Sequence, residues 1–169
     1  MKDLSQPDAE GFLQAMRHLA SGVSLITTRH AQGKPLGMLA TAVSSVSAEP
    51  PMILVCINRS ASLHDSLIEA GVFCVNFLAD HHRDILRRFS SSADRDSRFD
   101  GDHYHALATG APVLRDAHAA LDCEVSQIIT SGSHSVVFGR VLATSVTPEG
   151  GSSPLVHHGR QFGRWTTGD

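Results

Sequence analysis

The chain has few aromatic residues and little net charge. Aromatic side chains make up 5% of its 169 residues, with one Trp and one Tyr, and the formal net charge is −3. Surfaces that bind nucleic acids need a strong basic field, and many of them stack bases on aromatic rings. The composition therefore argues against a protein that binds DNA or RNA.

Cysteine is also scarce, and long apolar runs are missing. Cys56, Cys74 and Cys123 form no CxxC pair, are odd in number, and each lies in an apolar stretch, as expected for reduced, buried thiols. The first residues lack the apolar core of a signal peptide, and no run reaches the length of a membrane span. The sequence predicts a cytoplasmic protein that does not bind membranes.

Common catalytic motifs are missing as well. The sequence contains no GxGxxG, GxxxxGK[ST], HExxH or GxSxG, which removes the usual signatures of Rossmann dinucleotide binding, P-loop hydrolysis, zincin proteolysis and α/β-hydrolase chemistry. Eleven histidines are present, including the pairs at 81–82, 103/105 and 157–158. Adjacent side chains on a helix or strand point in different directions. His103 and His105 could share one face of a strand, but no Asp, Glu or Cys joins them at ligand spacing, so we interpret the histidines as surface residues and predict no metal site.

The content that is present indicates a soluble globular protein. Hydrophobic residues make up 41% of the chain and charged residues 18%, and no repeat or linker divides it, so we expect one domain over residues 1–169. Six or more strands alternate with three short helices through connections that resemble hairpins. This pattern predicts a mainly β fold, a closed and mostly antiparallel sheet with helices packed outside.

Hydrophobic periodicity, Gly and Pro place the individual elements. We predict strand 52–57 to be covered on both faces, because it is continuously apolar. A capping box of Ser62 with Asp65 is expected to start the second helix. In chain order the predicted elements are a helix over 8–21, strands over 23–28, 36–46 and 52–57, a helix over 60–70, a strand over 72–78, a short helix capped by Asp80, a surface loop over 90–102, and strands over 121–126, 135–146 and 155–157.

The strongest local signal lies at residues 56–65, where a buried strand runs into a predicted helix. Free backbone N–H groups and the positive end of a helix dipole favour an anion. Ser60 and Ser62 add hydroxyl groups, and Arg59 adds a cation. The junction therefore indicates a phosphate site. The alternative is that Ser60 or Ser62 merely caps the helix while Arg59 is solvated.

A second signal is the run of small and hydroxyl-bearing side chains over residues 37–47. Small side chains let a flat ligand approach the backbone, whose N–H and C=O groups can pair with polar ring edges. The alternative is an ordinary strand packed beneath a helix. The segment alone does not decide between them.

Taken together, residues 37–51, 56–65, 74–76, 87–89 and 132–134 occur in the order seen in the short-chain NAD(P)H:flavin reductases, and the chain resembles that family from about Phe12 to its end. These proteins are reductase components of two-component flavin monooxygenases. The resemblance implies a split β-barrel (an FMN-binding split barrel), a homodimer, and flavin bound near the subunit interface.

The resemblance also implies roles for individual residues. The isoalloxazine and ribityl chain would contact Met38, Leu39, Ala40, Thr41, Ala42, Val43, Ser44 and Ser45. The phosphate would be held by Asn58, Arg59, Ser60, Ala61 and Ser62, with Arg88 and Phe89 closing over it. NAD(P)H would bind near His134, Phe162 and Arg164. Leu39 stands where many members have Thr, and Ser133 replaces the usual Asp or Thr before the histidine.

The function implied is hydride transfer from NADH or NADPH to FMN or FAD, with reduced flavin passed to a separate oxygenase component. No residue is assigned a catalytic role, because the hydride chemistry belongs to the cofactors. One rival is a split-barrel oxidase of the pyridoxamine-phosphate type, which needs a basic phosphate-binding cluster not evident in the sequence. Another is a flavoredoxin-like FMN carrier that keeps its flavin bound.

Overall fold

The computed structural model describes residues 8–91, 95–148 and 152–166. Its helices are α1 (Ala9–Met16), α2 (His64–Ala70) and α3 (Arg83–Ser90). Its strands are β1 (Ser21–Gly22), β2 (Ser24–Arg29), β3 (Pro35–Ala40), β4 (Val43–Ala48), β5 (Pro51–Asn58), β6 (Val72–Phe77), β7 (Tyr104–Ala106), β8 (Pro112–Leu114), β9 (Ala119–Ser131), β10 (His134–Val146), β11 (Leu155–His158) and β12 (Gln161–Arg164).

A seven-stranded antiparallel sheet forms the body of the protein. Its spatial order is β3-β2-β6-β9-β10-β5-β4, so β3 and β4 are its two edges. These edge strands are joined directly by Thr41 and Ala42. Because a chain spans at most about 3.6 Å per residue, such a link keeps both edges close together and the sheet must roll up. The predicted split β-barrel is confirmed.

Two clusters of apolar side chains form the core on opposite faces of the sheet. Ile26, Val55, Phe73 and Val137 belong to the cluster that includes the α2 residue Leu67. The other cluster joins β2 to α3 and β11, with Leu25, Ile85, Phe89 and Leu155 among its buried members. Strand β2 is buried on both faces, since alternate side chains point to opposite sides of a sheet.

The long hairpin near the C-terminus matches its sequence pattern. Strands β9 and β10 are each 13 residues long and pair antiparallel around the turn at Gly132, as the alternation after Leu121 and the Ser-Gly-Ser turn predicted. Residues 104–114, where no element was predicted, contain the small β7–β8 sheet. The tail forms β12, which pairs with β11 and was not predicted.

The predicted end of the first helix is wrong. Helix α1 ends at Met16, and Gly22 belongs to β1 instead of stopping a helix. The reason is that Ser21 and Gly22 pair with His157 and Val156 of β11, a partner far away in the sequence. Helix α1 has no buried residue, and its apolar side chains are exposed.

Two further details differ from expectation. In β5, Ile53, Val55 and Ile57 are buried while the residues between them are half-exposed, so the strand is fully covered on one face rather than both. Helix α3 begins at Arg83 with His82 at its N-cap position, so Asp80 is not the cap. The described residues contain no helix long and apolar enough to cross a membrane. Of the predicted loops, residues 92–94 and 149–151 lie outside the described residues.

Candidate functional site

The small-residue segment over residues 38–45 is not one strand, as predicted, but two. It ends β3, crosses the open seam of the barrel through Thr41 and Ala42, and begins β4 at the other edge of the sheet. The carbonyl of Ala42 accepts a hydrogen bond of 3.0 Å from the N–H of Cys56, which attaches the crossing to β5. Thr41, Ala42, Ser44 and Ser45 are exposed. Small and hydroxyl-bearing side chains thus line an accessible part of the seam.

The turn over residues 58–62 follows β5, and a side chain holds its shape. Asn58 Oδ1 accepts hydrogen bonds from the N–H of Ser60 at 2.9 Å and from its hydroxyl at 2.8 Å. The carbonyl of Asn58 accepts from the N–H of Ala61 at 2.9 Å. Asn side chains favour such turns because they replace a backbone partner. Because of this turn, α2 begins later in the chain than predicted.

The predicted helix start at residue 60 and its capping box are therefore wrong. Helix α2 begins at His64, and its N-cap residue Leu63 makes no side-chain capping bond. Within the described part of the chain, the N–H groups of Ser62 and Leu63 have no acceptor. Arg59, Ser60 and Ser62 are exposed. An anion would thus meet the turn's own amide and hydroxyl groups rather than the end of a long helix.

His134 lies beside this turn, because it pairs with Asn58 across β10 and β5. The N–H of Arg59 donates to the carbonyl of Ser133 at 2.9 Å. The hydroxyl of Ser133 lies 2.9 Å from His134 Nδ1, so this chain offers the ring an orienting partner at the position where its resemblance departed from the family pattern. The imidazole is exposed at the end of the strand.

Two cavities adjoin these segments. One of about 510 Å³ contains Thr41, Ser44 and Ser45 in its wall, together with Ser21 and Gly22 of β1. The other, of about 250 Å³, connects the start of β3 with the turn before α2. Its polar and glycine lining residues are His30, Lys34, Gly37, Ser62, Ser66, Arg95 and Arg98. Basic residues from distant parts of the sequence therefore line the same cavity as Ser62.

Sequence reasoning missed these basic residues. Arg98 was placed in a surface loop, yet it is only 9% exposed. Its guanidinium donates to the carbonyls of Arg88 and Ser91 and lies 5.1 Å from the centre of the Phe89 ring. The Arg98-Phe99 dipeptide inside a charged loop was the available signal, because an aromatic residue there suggests a segment that folds back onto the body.

The two residues predicted to close over the phosphate lie in different surroundings. Phe89 is buried behind β3, and a Cβ atom on Gly37 would lie 2.7 Å from its Cε1. Its ring meets Phe99 edge-on at 5.5 Å. Arg88 instead lines a cavity of about 710 Å³ with Asp84 and other polar residues. Among the described residues, Arg88 therefore lines a cavity while Phe89 packs in the core.

Phe162 and Arg164 lie on β12, in the separate sheet β1-β11-β12. The Phe162 ring packs against His157 at 5.1 Å, and Arg164 Nη1 lies 3.9 Å from Asp80. Strand β1 of this sheet borders the 510 Å³ cavity. Phe162 and Arg164 therefore belong to the sheet that borders the cavity next to Thr41. His134 lies instead on the seven-stranded sheet, beside the turn over residues 58–62.

The surface interpretation of the histidines is wrong for two of them, because His64 and His82 are buried. His81, His82 and Asp116 bring three potential metal-ligand atoms within 4.8 Å of one another. However, His82 Nδ1 accepts the N–H of Ala79 at 2.9 Å. A neutral ring then carries its proton on Nε2, which faces Asp116. This ring offers no lone pair to a metal, and the absence of a metal site stays a prediction.

The same contact affects the acid–base behaviour of both partners. Burial lowers the pKa of His82, although Asp116 opposes that effect. Burial acts to raise the pKa of Asp116, but the hydrogen bond from His82 and the charges nearby outweigh it and lower the pKa overall.

Burial also raises the pKa of Cys123 to about 12, with the Asp122 carboxylate adding to the shift. This thiol remains protonated and unreactive at neutral pH.

Comparison with known proteins agrees with this arrangement. The profile of the family described as "Flavin reductase like domain" matches residues 16–166. An FMN reductase (NADH) RutF of Pseudomonas syringae pv. syringae (strain B728a) is 44% identical over 151 residues, covering 89% of this chain and 83% of the relative.

Solved structures show the same similarity. BorF, the flavin reductase component of a bacterial two-component tryptophan halogenase, superposes with a TM-score of 0.83 at 31% identity, covering 93% of this chain and 98% of BorF. The NADH:FAD oxidoreductase SgcE6 of Streptomyces globisporus, in complex with NAD and FAD fragments, superposes with a TM-score of 0.84 at 25% identity, covering 97% of each chain. With its rolled sheet, its seam of small residues and this match over most of its length, the chain belongs to the flavin reductase-like family.

Proposed function

We propose that this chain is an NAD(P)H:flavin oxidoreductase that folds as a single domain over residues 1–169 and supplies reduced FMN or FAD to a partner monooxygenase. The observation that carries the proposal is the convergence of three segments. The seam at Thr41–Ala42, the turn after Asn58 and the exposed His134 lie on adjacent strands at one end of the barrel. The relatives that match most of the chain carry names for this activity.

The seam supplies a surface suited to a flat, polar ring. The chain leaves the ladder where it crosses from β3 to β4. Apart from the Ala42 carbonyl, which accepts from Cys56, its amide and carbonyl groups can pair with the polar edge of an isoalloxazine. Thr41 and Ser44, which both carry hydroxyl groups, line the 510 Å³ cavity. Donors near the ring position that gains negative charge on reduction favour the reduced flavin.

The phosphate group is proposed to bind at the turn. Ser62 and Leu63, whose N–H groups have no acceptor among the described residues, line the 250 Å³ cavity together with Lys34 and Arg98. Backbone amides and a nearby cation are a favourable combination for a phosphate. This arrangement extends the phosphate interpretation of residues 58–62 by adding Lys34, just before β3, and Arg98, from the loop after α3.

His134 is proposed to contact the nicotinamide, with Phe162 and Arg164 as further NAD(P)H residues. Its Nδ1 has a partner in the Ser133 hydroxyl, which leaves Nε2 to face a ligand. Hydride transfer from nicotinamide to flavin is the chemistry of the two bound molecules. The chain's part is to hold them face to face and to limit the access of water.

We also propose that the protein acts as a homodimer in the cytoplasm. Helix α1 exposes Phe12, Leu13 and Met16 and buries none of its own residues. Contiguous exposed apolar surface on a globular protein often marks an interface. Free, reduced cysteines, with Cys74 and Cys123 buried, suit a reducing compartment.

The test is nicotinamide oxidation by the purified protein, measured with and without added FMN or FAD. Oxidation that requires added flavin supports the reductase. A protein that retains bound flavin and does not oxidise NADH or NADPH would instead be a carrier of the flavoredoxin kind. Absence of oxidation with all four combinations of flavin and nicotinamide would overturn the proposal.

A further inference from the structure

A buried hydrogen-bonded pair joins the proposed phosphate turn to the strand that carries His134. His64 Nε2 lies 2.9 Å from the hydroxyl of Ser135, and His64 Nδ1 lies 2.7 Å from Asp65 Oδ1. His64 is 7% exposed and Ser135 is 2% exposed. Nothing in the sequence pattern predicted this contact, which links residues far apart along the chain.

The partners determine where the protons lie. The Asp65 carboxylate can only accept a hydrogen bond, so Nδ1 of His64 carries a proton. In the neutral ring Nε2 then accepts from the Ser135 hydroxyl. This is the polarity of a Ser-His-Asp triad, but the exposure is reversed: the Asp65 side chain is 97% exposed while Ser135 is enclosed. A nucleophile must reach its substrate, so Ser135 is not one.

The position of the pair indicates what it does. The turn is attached at one end by the N–H of Arg59, which donates to the carbonyl of Ser133, and at the other end by His64, which binds Ser135. Both ends of the turn are therefore fastened to the start of β10, on either side of His134. The turn itself carries the amide groups assigned to the flavin phosphate.

We propose that His64 and Ser135 are positioning residues that hold the phosphate turn and His134 at a fixed separation, so that bound flavin and nicotinamide meet in a productive geometry. The proposal rests on the proposed function. A buried hydrogen bond between two elements restricts their relative movement, and hydride transfer is sensitive to small displacements of the reacting groups. The pair therefore affects both the affinity for flavin and the use of the nicotinamide.

The test compares three variants of the pair with a matched control. Ser135→Ala removes one hydroxyl, His64→Leu removes the ring acceptor at similar volume, and His64→Gln can restore a hydrogen bond near the Nε2 position. The control is Thr28→Val, because the buried Thr28 hydroxyl donates to the carbonyl of Val72 at 2.7 Å away from the turn. Each change that removes a buried bond is expected to lower Tm by about 2–4 °C.

Flavin affinity, measured by fluorescence without turnover, and kcat/KM for the nicotinamide at saturating flavin are then compared. We expect Ser135→Ala and His64→Leu to weaken flavin binding and to lower kcat/KM by about tenfold each, and the double variant to be no worse than the more severe single one. His64→Gln should recover most of both quantities, and Thr28→Val should change neither by more than about twofold.

Two failures are distinguishable. If the wild-type protein oxidises nicotinamide with added flavin but the pair variants behave like Thr28→Val, the positioning role is wrong and the reductase function stands. Additive effects of Ser135→Ala and His64→Leu would also overturn the role, because either substitution alone already removes the hydrogen bond between the two side chains. If the wild-type protein is inactive with every flavin, the proposed function itself fails.

Discussion

Helices α2 and α3 begin in similar ways and serve different parts of the molecule. Each follows a buried strand, and each has a buried histidine at or just before its first residue, His64 at α2 and His82 at α3. A carboxylate contacts each ring, Asp65 in the first case and Asp116 in the second. A buried strand followed by a histidine and a helix therefore occurs at both α2 and α3, and this local pattern does not show which helix start binds a ligand.

The difference lies in the partner of the second ring nitrogen. At α2 the carboxylate contacts Nδ1 and the Ser135 hydroxyl contacts Nε2. At α3 the backbone N–H of Ala79 donates to Nδ1, and Nε2 faces Asp116. A hydroxyl can rotate to accept a proton from a charged imidazole, whereas a backbone N–H cannot. The backbone N–H at Nδ1 therefore opposes protonation of His82, whose pKa is also lowered by burial.

The surroundings of the two helices also differ. Before α2 the turn leaves the amide groups of Ser62 and Leu63 without acceptors in the described ranges, next to a cavity and His134. At the C-terminal end of α3, Phe89 is buried and the guanidinium of Arg98 is held by backbone carbonyls, whereas Asp84 and Arg88 line the cavity of about 710 Å³. We propose that the turn before α2 serves a ligand, whereas the C-terminal part of α3 serves stability.

The largest expected effect comes from His134→Ala on the α2 side. If His134 serves the nicotinamide, kcat/KM for that substrate should fall by roughly tenfold to a hundredfold, as for the loss of one or two well-placed hydrogen bonds. Flavin affinity and Tm should stay nearly constant, because the side chain is exposed. Steady-state kinetics with varied nicotinamide at saturating flavin measures this. His103→Ala, at another exposed histidine, is the control.

An unchanged kcat/KM in His134→Ala would place this residue among the exposed histidines without a role. A large loss of flavin affinity would instead place it in the flavin pocket.

The next effect is expected from Ser60→Asp, which adds a negative charge to the turn before α2. Repulsion of the phosphate and loss of a hydrogen bond should weaken FMN binding by about tenfold or more. Riboflavin, which has no phosphate, should be affected much less. Arg83→Asp makes a larger change of charge at the exposed start of α3 and should leave both affinities nearly unchanged.

Fluorescence titrations of both ligands measure this difference. Equal weakening of FMN and riboflavin binding by Ser60→Asp would show that the phosphate binds elsewhere. Weaker FMN binding in Arg83→Asp would contradict the proposal that the ligand binds near α2 and not near α3.

The smallest expected effect is on how the free energy of unfolding depends on pH, through His82 at the start of α3. The pKa of His82 is lowered in the folded protein by burial, so between that pKa and the ordinary value of about 6.5 the unfolded chain binds more protons. The free energy of unfolding should therefore fall as the pH drops below about 6.5. In His82→Asn an amide oxygen can still accept from Ala79, and this part of the pH dependence should disappear.

Denaturant unfolding at a series of pH values from neutral to mildly acidic measures the slope. The control is His81→Asn, since His81 is the exposed neighbour on the same turn. An unchanged slope in His82→Asn, or an equal change in His81→Asn, would contradict the assignment of the neutral ring to His82.

Much of the fold could be predicted because its signals are local. The β9–β10 hairpin follows from alternation on both sides of a Ser-Gly-Ser turn, and the end of α2 follows from Gly71, which adopts a left-handed conformation with φ of 66°. The chemistry of residues 38–45 and 58–62 was also visible, because small and hydroxyl-bearing side chains are distinctive. These features depend on neighbours in the sequence.

Other predictions failed where a distant partner decided the conformation. Residues 36–46 were expected to form one strand, because both halves are extended and nothing in the sequence marks the crossing at Thr41. The predicted start of the helix over 60–70 was too early, because the Asn58 side chain accepts a hydrogen bond from the N–H of Ser60 and holds a turn there. The basic residues around Ser62 were missed because Lys34 and Arg98 come from separate segments.

The sequence by itself determined the class of fold, the order of most strands and the residue types available for a phosphate and a flat ring, since these depend on local periodicity and composition. Only the tertiary structure decided that β3 and β4 form opposite edges of one rolled sheet, that His134 pairs with Asn58, and that His64 is buried against Ser135. The reason is physical: closing a barrel satisfies backbone hydrogen bonds between residues distant in the chain, and those pairings set which side chains meet.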